Sequence, residues 1–498
     1  MKKLSLLFIG VFSMSNIYAQ DISDALRYSQ DEIQGSARFR ALSGAFGALG
    51  GDLSAVSINP AGSAVFSQSH ASFSLISADK NNTANYFGNI EKTNDSKLDL
   101  NQGGAAFVFK SNNNSPWRKF TLAIAYDRTN DHNNSWYAEG IGNTSIDQYF
   151  LDYTRNTVIP FGVLKLQGDE FIENAYADIG AIPEVGFKYQ QAFLGYWGGI
   201  IDPLNTDDTT NNDNIDYVSI LSGSPYNQTY SKISTGYNGK ISFNFATQYE
   251  DNLYLGINLN SHFIDYQQSN FFTENNDVEF ENNLATTGNG FSFQLGAILK
   301  ITPELRMGLA YDSPTWYTIQ EEASQSIYSL EADDEIGFIS NIINIYPEYK
   351  LQTPGEFTGS IAYIFGQQGL ISFDYSNKNY TNTTFKPEVD YTDLNGDITN
   401  VLTSASTYRF GGEYKVKQLS FRGGYRFEES PYTDGVTVGD LNGFSLGLGY
   451  NFGNTKLDLT FDQAKRSYQT SLYNVGLIDT VDIDRVNSNV TLSLSFNI

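Results

Sequence analysis

The chain has 498 residues, no cysteine, and a formal charge of −25 from 56 acidic against 31 basic side chains. Without cysteine there are no disulfides and no thiolate metal sites, and the acidic balance argues against nucleic acid, whose phosphates need a basic surface. Mean hydropathy is negative, at −0.33, yet aromatics make up 14% of the chain and there are 44 glycines. That combination suits a β-structure with aromatic belts and closely packed backbone.

Residues 1–19 read as a secretory leader. Lys2 and Lys3 precede an apolar run over 4–14, and Ala19 supplies a small residue at a cleavage point. The run is too short to cross a bilayer as a helix, which takes roughly twenty residues.

Residues 20–68 do not alternate. The stretch 38–52 is rich in small residues and weakly helical, and Asn59-Pro60-Ala61-Gly62 marks a turn. The segment is too apolar for a disordered tail, so it must bury a face, and the interior of a barrel is the available space.

From residue 69 to 498, apolar and small or polar residues alternate in fourteen segments. The first three lie at 69–79, 101–110 and 118–129. The next six lie at 238–249, 252–270, 289–301, 304–318, 348–365 and 369–381. The remainder lie at 403–416, 418–429, 440–453, 455–469 and 486–498. In the last, Val490, Leu492, Leu494, Phe496 and Ile498 share one face. Short links (111–117, 250–251, 302–304, 366–369, 416–417, 453–454) alternate with long ones at 80–100, 130–237, 271–288, 319–347, 382–402, 430–439 and 470–485. Such two-sidedness is expected of a closed outer-membrane barrel, with tight turns in the periplasm and long loops outside. Closure is required because an open sheet edge in lipid leaves backbone groups unpaired. The fold class is therefore all-β, a transmembrane antiparallel barrel of about fourteen strands.

The longest outer segment, 130–237, contains two stretches that read as short helices, 145–156 and 214–222. Between them 192–201 is very apolar. It is a ligand-collecting groove, a patch that docks another outer-membrane protein, or a core packed against its own helices. Asp390, Asp393, Asn395 and Asp397 fail the spacing of a calcium-binding EF-hand loop. His70, His132 and His262 are too scattered to set a metal site, and neither metal nor cofactor is assigned.

Charged residues fall on the strand faces opposite the aromatics: Asp312, Asp374, Arg409, Glu413, Lys415, Arg422, Arg426, Glu428, Asp458 and Asp462. On a lipid face a basic side chain costs roughly 2–4 kcal/mol at mid-depth, so these point into the lumen. They form either an ion ladder that stiffens the barrel or a polar track along a route.

The pattern Arg40…Gly44-Ala45-Phe46…Ala48-Leu49…Asp52…Ser54-Ala55…Asn59-Pro60-Ala61-Gly62 resembles the N-terminal hatch signature of the FadL/TodX-type outer-membrane transporters. The resemblance continues through 306–314, 351–355 and 422–431, in the expected order. It implies a hatch over 20–68 that plugs a barrel over 69–498, with Phe39, Phe46, Ile58, Asn59, Pro60, Ala61 and Gly62 as its hatch and ligand-binding residues. It also implies uptake of long-chain fatty acids or aromatic hydrocarbons, released sideways through the wall, where Gly103-Gly104 is the candidate break. The alternative is a similar barrel acting as a subunit of a secretion or assembly complex through the 130–237 loop. No serine, histidine and carboxylate group suggests an enzyme. The expected partners are thus a hydrophobic small molecule and outer-membrane lipid.

Overall fold

The structure is a computed structural model that describes residues 21–112, 115–204, 211–332 and 334–498. The proposed leader, 1–19, lies outside the described residues.

Fourteen strands form the wall. They are β1 His70–Tyr86, β2 Asn89–Lys110, β3 Trp117–Asp131 with a second segment Asn134–Gly142, β4 Tyr226–Tyr249, β5 Leu253–Glu274 and β6 Val278–Lys300. β7 runs as Leu305–Asp312 and Trp316–Ser329, and β8 as Tyr349–Gln352 and Glu356–Ile364. The rest are β9 Gly369–Asn379, β10 Ser404–Val416, β11 Leu419–Glu428, β12 Leu441–Asn451, β13 Thr455–Ser471 and β14 Thr480–Asn497. Each pairs antiparallel with the next, and β14 returns to β1 from His70↔Asn497 to Asn85↔Asp482, which closes the barrel. β7 and β8 both break at the same depth, at Pro314 and Pro354, where a missing N–H removes a ladder bond. Thr353 there donates its N–H to Thr315 O at 3.0 Å.

Apolar side chains cover the outer face: Phe120, Leu122, Ile124, Phe243, Phe245, Phe410, Phe421, Phe444, Leu446 and Leu448 are all exposed. In water such a belt would be an aggregation site; against hydrocarbon it needs no cover.

Two of the expected long loops are strands instead. β1 and β2 continue to a tight turn at Phe87-Gly88, and β5 and β6 meet at Asn275–Asp277, so most of 80–100 and 271–288 is hairpin. Beyond the membrane both faces meet water or other protein, so the apolar alternation that marks a strand fades while the ladder persists.

Inside the barrel lie the short helices α1 Ile22–Arg27 and α2 Ala37–Ala41, followed by 3-10 turns at Ser54–Ser57 and Pro60–Val65. Above it stand α3 Asp147–Asn156, α4 Phe161–Leu164, α5 Ile172–Gly180 and α6 Gly186–Trp197. The expected helix at 145–156 is α3. That at 214–222 is instead a strand, Tyr217–Ser219, paired with Ile201–Pro203; Ile215, Val218 and Ile220 are β-branched and favour extended backbone. The apolar run 192–201 lies inside this cap. Phe193, Leu194 and Ile200 pack with Phe150, Tyr176 and the rim residues Tyr230, Phe272, Phe280 and Tyr473. A further helix, α7 Thr392–Val401, holds Asp393, Asn395 and Asp397, and Asn395 exchanges two hydrogen bonds with the Phe385 backbone (2.9 and 3.0 Å). Among the described residues, no group of three or more His, Asp or Glu is arranged to hold a metal.

Candidate functional site: hatch, charged lane and upper cavity

The segment 21–66 is shaped by small residues that let backbone meet backbone. Ser36 caps α2 by accepting from Phe39 N (3.1 Å) and donates to both Asp52 oxygens (2.8 and 2.9 Å). The chain reverses at Gly50-Gly51, both with positive φ (61° and 67°), which glycine alone adopts without strain. The wall answers in kind: a Cβ at Gly424 would stand 2.6 Å from the Leu42 carbonyl carbon, and one at Gly296 would stand 2.0 Å from Asn59 Oδ1. Asn59 uses its whole amide, accepting from Ala61 N (3.1 Å) and donating to Gly47 O (2.7 Å) and Ala297 O (3.1 Å). It thereby ties the turn both to the rest of the segment and to β6.

Phe39 and Phe46 pack together, ring centroids 5.4 Å apart, in a cluster with Leu42, Leu49 and Ala55 that Ile58 borders. Asn59, Pro60, Ala61 and Gly62 are buried against β4, β5 and β6. These seven residues join hatch to wall; none of them lines the cavity described below.

The charges split by wall. Toward β10–β13 the segment is held by ions. Arg38 Nε lies 3.0 Å from Glu413 Oε2, and Arg40 makes two bonds to Asp462 (2.9 and 2.8 Å). Arg422 bridges Glu413 and Asp458, each at 2.6 Å. Higher up, Arg426 and Arg466 share Glu428 (3.4 and 3.1 Å), and Arg409 donates to Ser376 Oγ (2.9 Å). Toward β4–β7 the ties are neutral or half-neutral: Ser63 to Asn244, Asn258 to Val56 O, and Gln294 to both Ser57 O and Asp312. The structure thus places Asp312, Arg409, Glu413, Arg422, Arg426 and Asp458 on the lumen face.

Above the hatch is a cavity of about 350 Å³. Its apolar lining includes Leu26, Ile76, Trp136, Tyr266 and Ile483; its cations include Arg27, Lys80, Arg128, Lys232 and Arg485, and Asp31, Glu32, Asp131 and Glu428 line it as well. Lys80 and Arg128 pair with Asp131 (3.7 and 3.9 Å), and Arg27 pairs with Asp24 and stacks over Tyr266 (4.2 Å). Lys232 and Arg485 have no ion-pair partner among the described residues; Arg485 Nε donates to Asn82 Oδ1 (3.0 Å). Arg40, Arg426 and Glu428 of the lining stood out in the sequence, whereas Lys80, Lys232 and Arg485 did not, because each fell within a span read as loop.

The cavity abuts a seam in the wall. β2 and β3 pair from Lys110↔Lys119 up to Gln102↔Asp127 and no further. Beyond it β2 stays paired only to β1, while β3 follows β4. Side chains span the gap instead: Arg128 reaches Asp99 (2.9 Å), Asp95 accepts from Ser135 N and Oγ (both 2.6 Å), and Thr93 Oγ1 donates to Ser135 O (2.7 Å). Gly103-Gly104 lie at the last rungs below the seam, beside the bulge at Asn101.

The sequence profile of the outer membrane protein transport protein family (OMPP1/FadL/TodX) matches residues 226–495, more than half of the chain. The chain belongs to this family. No curated protein matches it. Among solved structures it is similar to a Pseudomonas aeruginosa FadL homologue, at 12% identity and TM-score 0.57, covering 94% of this chain and 99% of that one. It is also similar to the Pseudomonas putida toluene transporter TodX, at 11% identity and TM-score 0.51, covering 94% and 100%. The CymD monoaromatic hydrocarbon channel, at 10% identity and TM-score 0.50, covers 94% and 99%. At these identities the likeness is one of fold; the family match carries the rest. This FadL/TodX-family barrel resides in the outer membrane, and its family is one of transport channels rather than enzymes.

Proposed function

We propose that this barrel passively takes up an apolar small molecule from outside the cell, holds it in the upper cavity, and releases it sideways through the β2–β3 seam. The supporting observation is the cavity itself: an apolar patch of Leu26, Ile76, Trp136, Tyr266 and Ile483 within a charged lining, above a hatch whose close-packed glycine contacts leave little room for a water column, beside a wall whose backbone ladder has ended. A hydrophobic molecule gains nothing from a watery channel, whereas an apolar pocket stabilises it by roughly 25 cal/mol for each Å² removed from water.

Structural relatives include a toluene transporter and a monoaromatic hydrocarbon channel, so both aromatic hydrocarbons and long-chain fatty acids are candidates here. Lys232 and Arg485 favour the acid, because a carboxylate would give them the close charge-assisted partner that neither has among the described residues. Burial of the 192–201 run inside the cap removes the apolar patch on which the subunit reading rested.

Native mass spectrometry of the full chain should show one long-chain fatty acid bound. Ile76→Trp, which fills the cavity, should abolish binding, and Lys232→Gln with Arg485→Gln should weaken it about tenfold, as loss of a charge-assisted hydrogen bond does. A chain that isolates with stoichiometric protein partners and retains neither acid nor hydrocarbon would overturn the reading.

A further inference from the structure

At the short-turn end of the lumen, two cross-strand pairs carry like charges. Lys110 of β2 faces Lys119 of β3, and Lys300 of β6 faces Arg306 of β7. Like charges directly opposite one another destabilise a ladder. Among the described residues none of the four has an ion-pair partner; the rim carboxylate Asp251 pairs with Arg118 instead (3.7 Å).

The two pairs converge. The Lys119 and Lys300 ammonium groups lie 6.0 and 4.8 Å from the centroid of the buried Tyr254 ring, which stands between them on β5. Lys119 Nζ donates to Phe66 O (2.6 Å), and Arg306 Nη1 donates to Leu49 O (3.0 Å), so both pairs also touch the lower end of the hatch. The buried Nε of Arg306 has no hydrogen-bond partner among the described residues. The opposite wall is built the other way. Glu413 faces Arg422 across β10 and β11, and Lys415 lies 3.0 Å from Glu413 Oε1. Among the described residues the four cations of the β2–β7 arc thus lie together without an ion pair, in a chain whose overall charge is −25.

We propose that this arc is a docking site for a phosphate group at the periplasmic mouth. A tetrahedral oxyanion can accept from several strands at once, with the Arg306 fork supplying geometry and the lysines point charge. Two sources share that chemistry: the headgroup of a phospholipid in the periplasmic leaflet, which basic pockets near the bilayer surface recognise, and a soluble phosphorylated compound. The proposal does not depend on the cargo held in the upper cavity.

Amine acetylation of the purified full chain, read peptide by peptide, tests it. The probes are inorganic pyrophosphate, and dodecyl maltoside micelles doped with phosphatidylglycerol or with uncharged diacylglycerol. At a probe concentration about ten times its Kd, acetylation of Lys119 and Lys300 should slow about tenfold, while Lys417 at an exposed turn keeps its rate. Protection by pyrophosphate identifies a soluble ligand, and protection by phosphatidylglycerol alone identifies a headgroup. Lys300→Gln with Arg306→Gln should abolish protection of Lys119 without lowering the temperature at which the unliganded barrel unfolds, since a repulsion is removed. Unchanged rates with every probe, equal protection by diacylglycerol, or protection that survives the double substitution would each overturn the site.

Discussion

Arg422 sits between two carboxylates, Glu413 and Asp458, and all three side chains are buried. Taking the guanidinium away leaves Glu413 with Arg38 and Lys415 but Asp458 with no ion partner. Breaking a buried pair from one side costs about 3–5 kcal/mol, so Arg422→Leu should markedly lower the temperature at which the barrel unfolds in a heat-modifiability gel. Phe421→Leu, one residue away on the lipid face, keeps an apolar surface and should cost less than about 1.5 kcal/mol. Equal shifts for the two would mean that the faces are wrongly assigned. The sign of each position was legible because alternation alone separates Arg422 from Phe421. Its partners were not: Asp458 is two strands away, and Arg38 belongs to a segment with no strand periodicity.

Strands were readable where lipid touched them and unreadable where it did not. Phe444, Leu446 and Leu448 alternate with Ser445, Gly447 and Gly449 because hydrocarbon selects one face of β12. Asn81, Asn82, Asn85 and Asn89 carry no such mark, although β1 and β2 remain hydrogen-bonded up to Tyr86↔Asn89. The hairpin tip at Gly88, with nothing within 4 Å of where a Cβ would stand, is therefore the turn of a continuous ladder rather than a slack loop. An epitope tag inserted at Gly88 or near Asn211 should be labelled on intact cells. Tags at Asn252 or Gln367, in the short turns, should be labelled only after permeabilisation. Labelling of Asn252 on intact cells would invert the topology. Misreading of 214–222 has a related cause: its polar start resembles a helix cap, but its β-branched residues pair with Ile201–Pro203 instead.

At the scale of the whole molecule, the alternation of short and long links was enough to count strands. The cavity was not legible, because it assembles residues from strands at both ends of the chain, and the seam between the consecutive strands β2 and β3 was marked in the sequence only by Gly103-Gly104 at its lower edge. What unites them is the N-terminal segment. Glu32 N donates to Thr129 O (2.9 Å), and Asn130 donates to Gln30 O (2.7 Å), so the hatch holds β3 at the seam. Arg38 and Arg40 hold it to the opposite wall. The fourteen strands close without this segment, so deleting residues 22–60 should leave a barrel that inserts but conducts ions in planar bilayers and no longer retains an apolar ligand. Asp462 would lose Arg40 but keep Asn489 (2.9 Å), a partner that softens the loss of the ion pair. Two point variants test the same idea in a full-length chain. Arg40→Leu should raise ion leakage by cutting the tie to Asp462, and Pro60→Leu should do so more mildly by freeing φ at the turn seated on Gly256 and Gly296. If the deletion barrel and both variants stay as tight to ions as the intact chain, the segment fills the lumen without sealing it, and uptake past a hatch would have to give way to a route that never crosses the lumen.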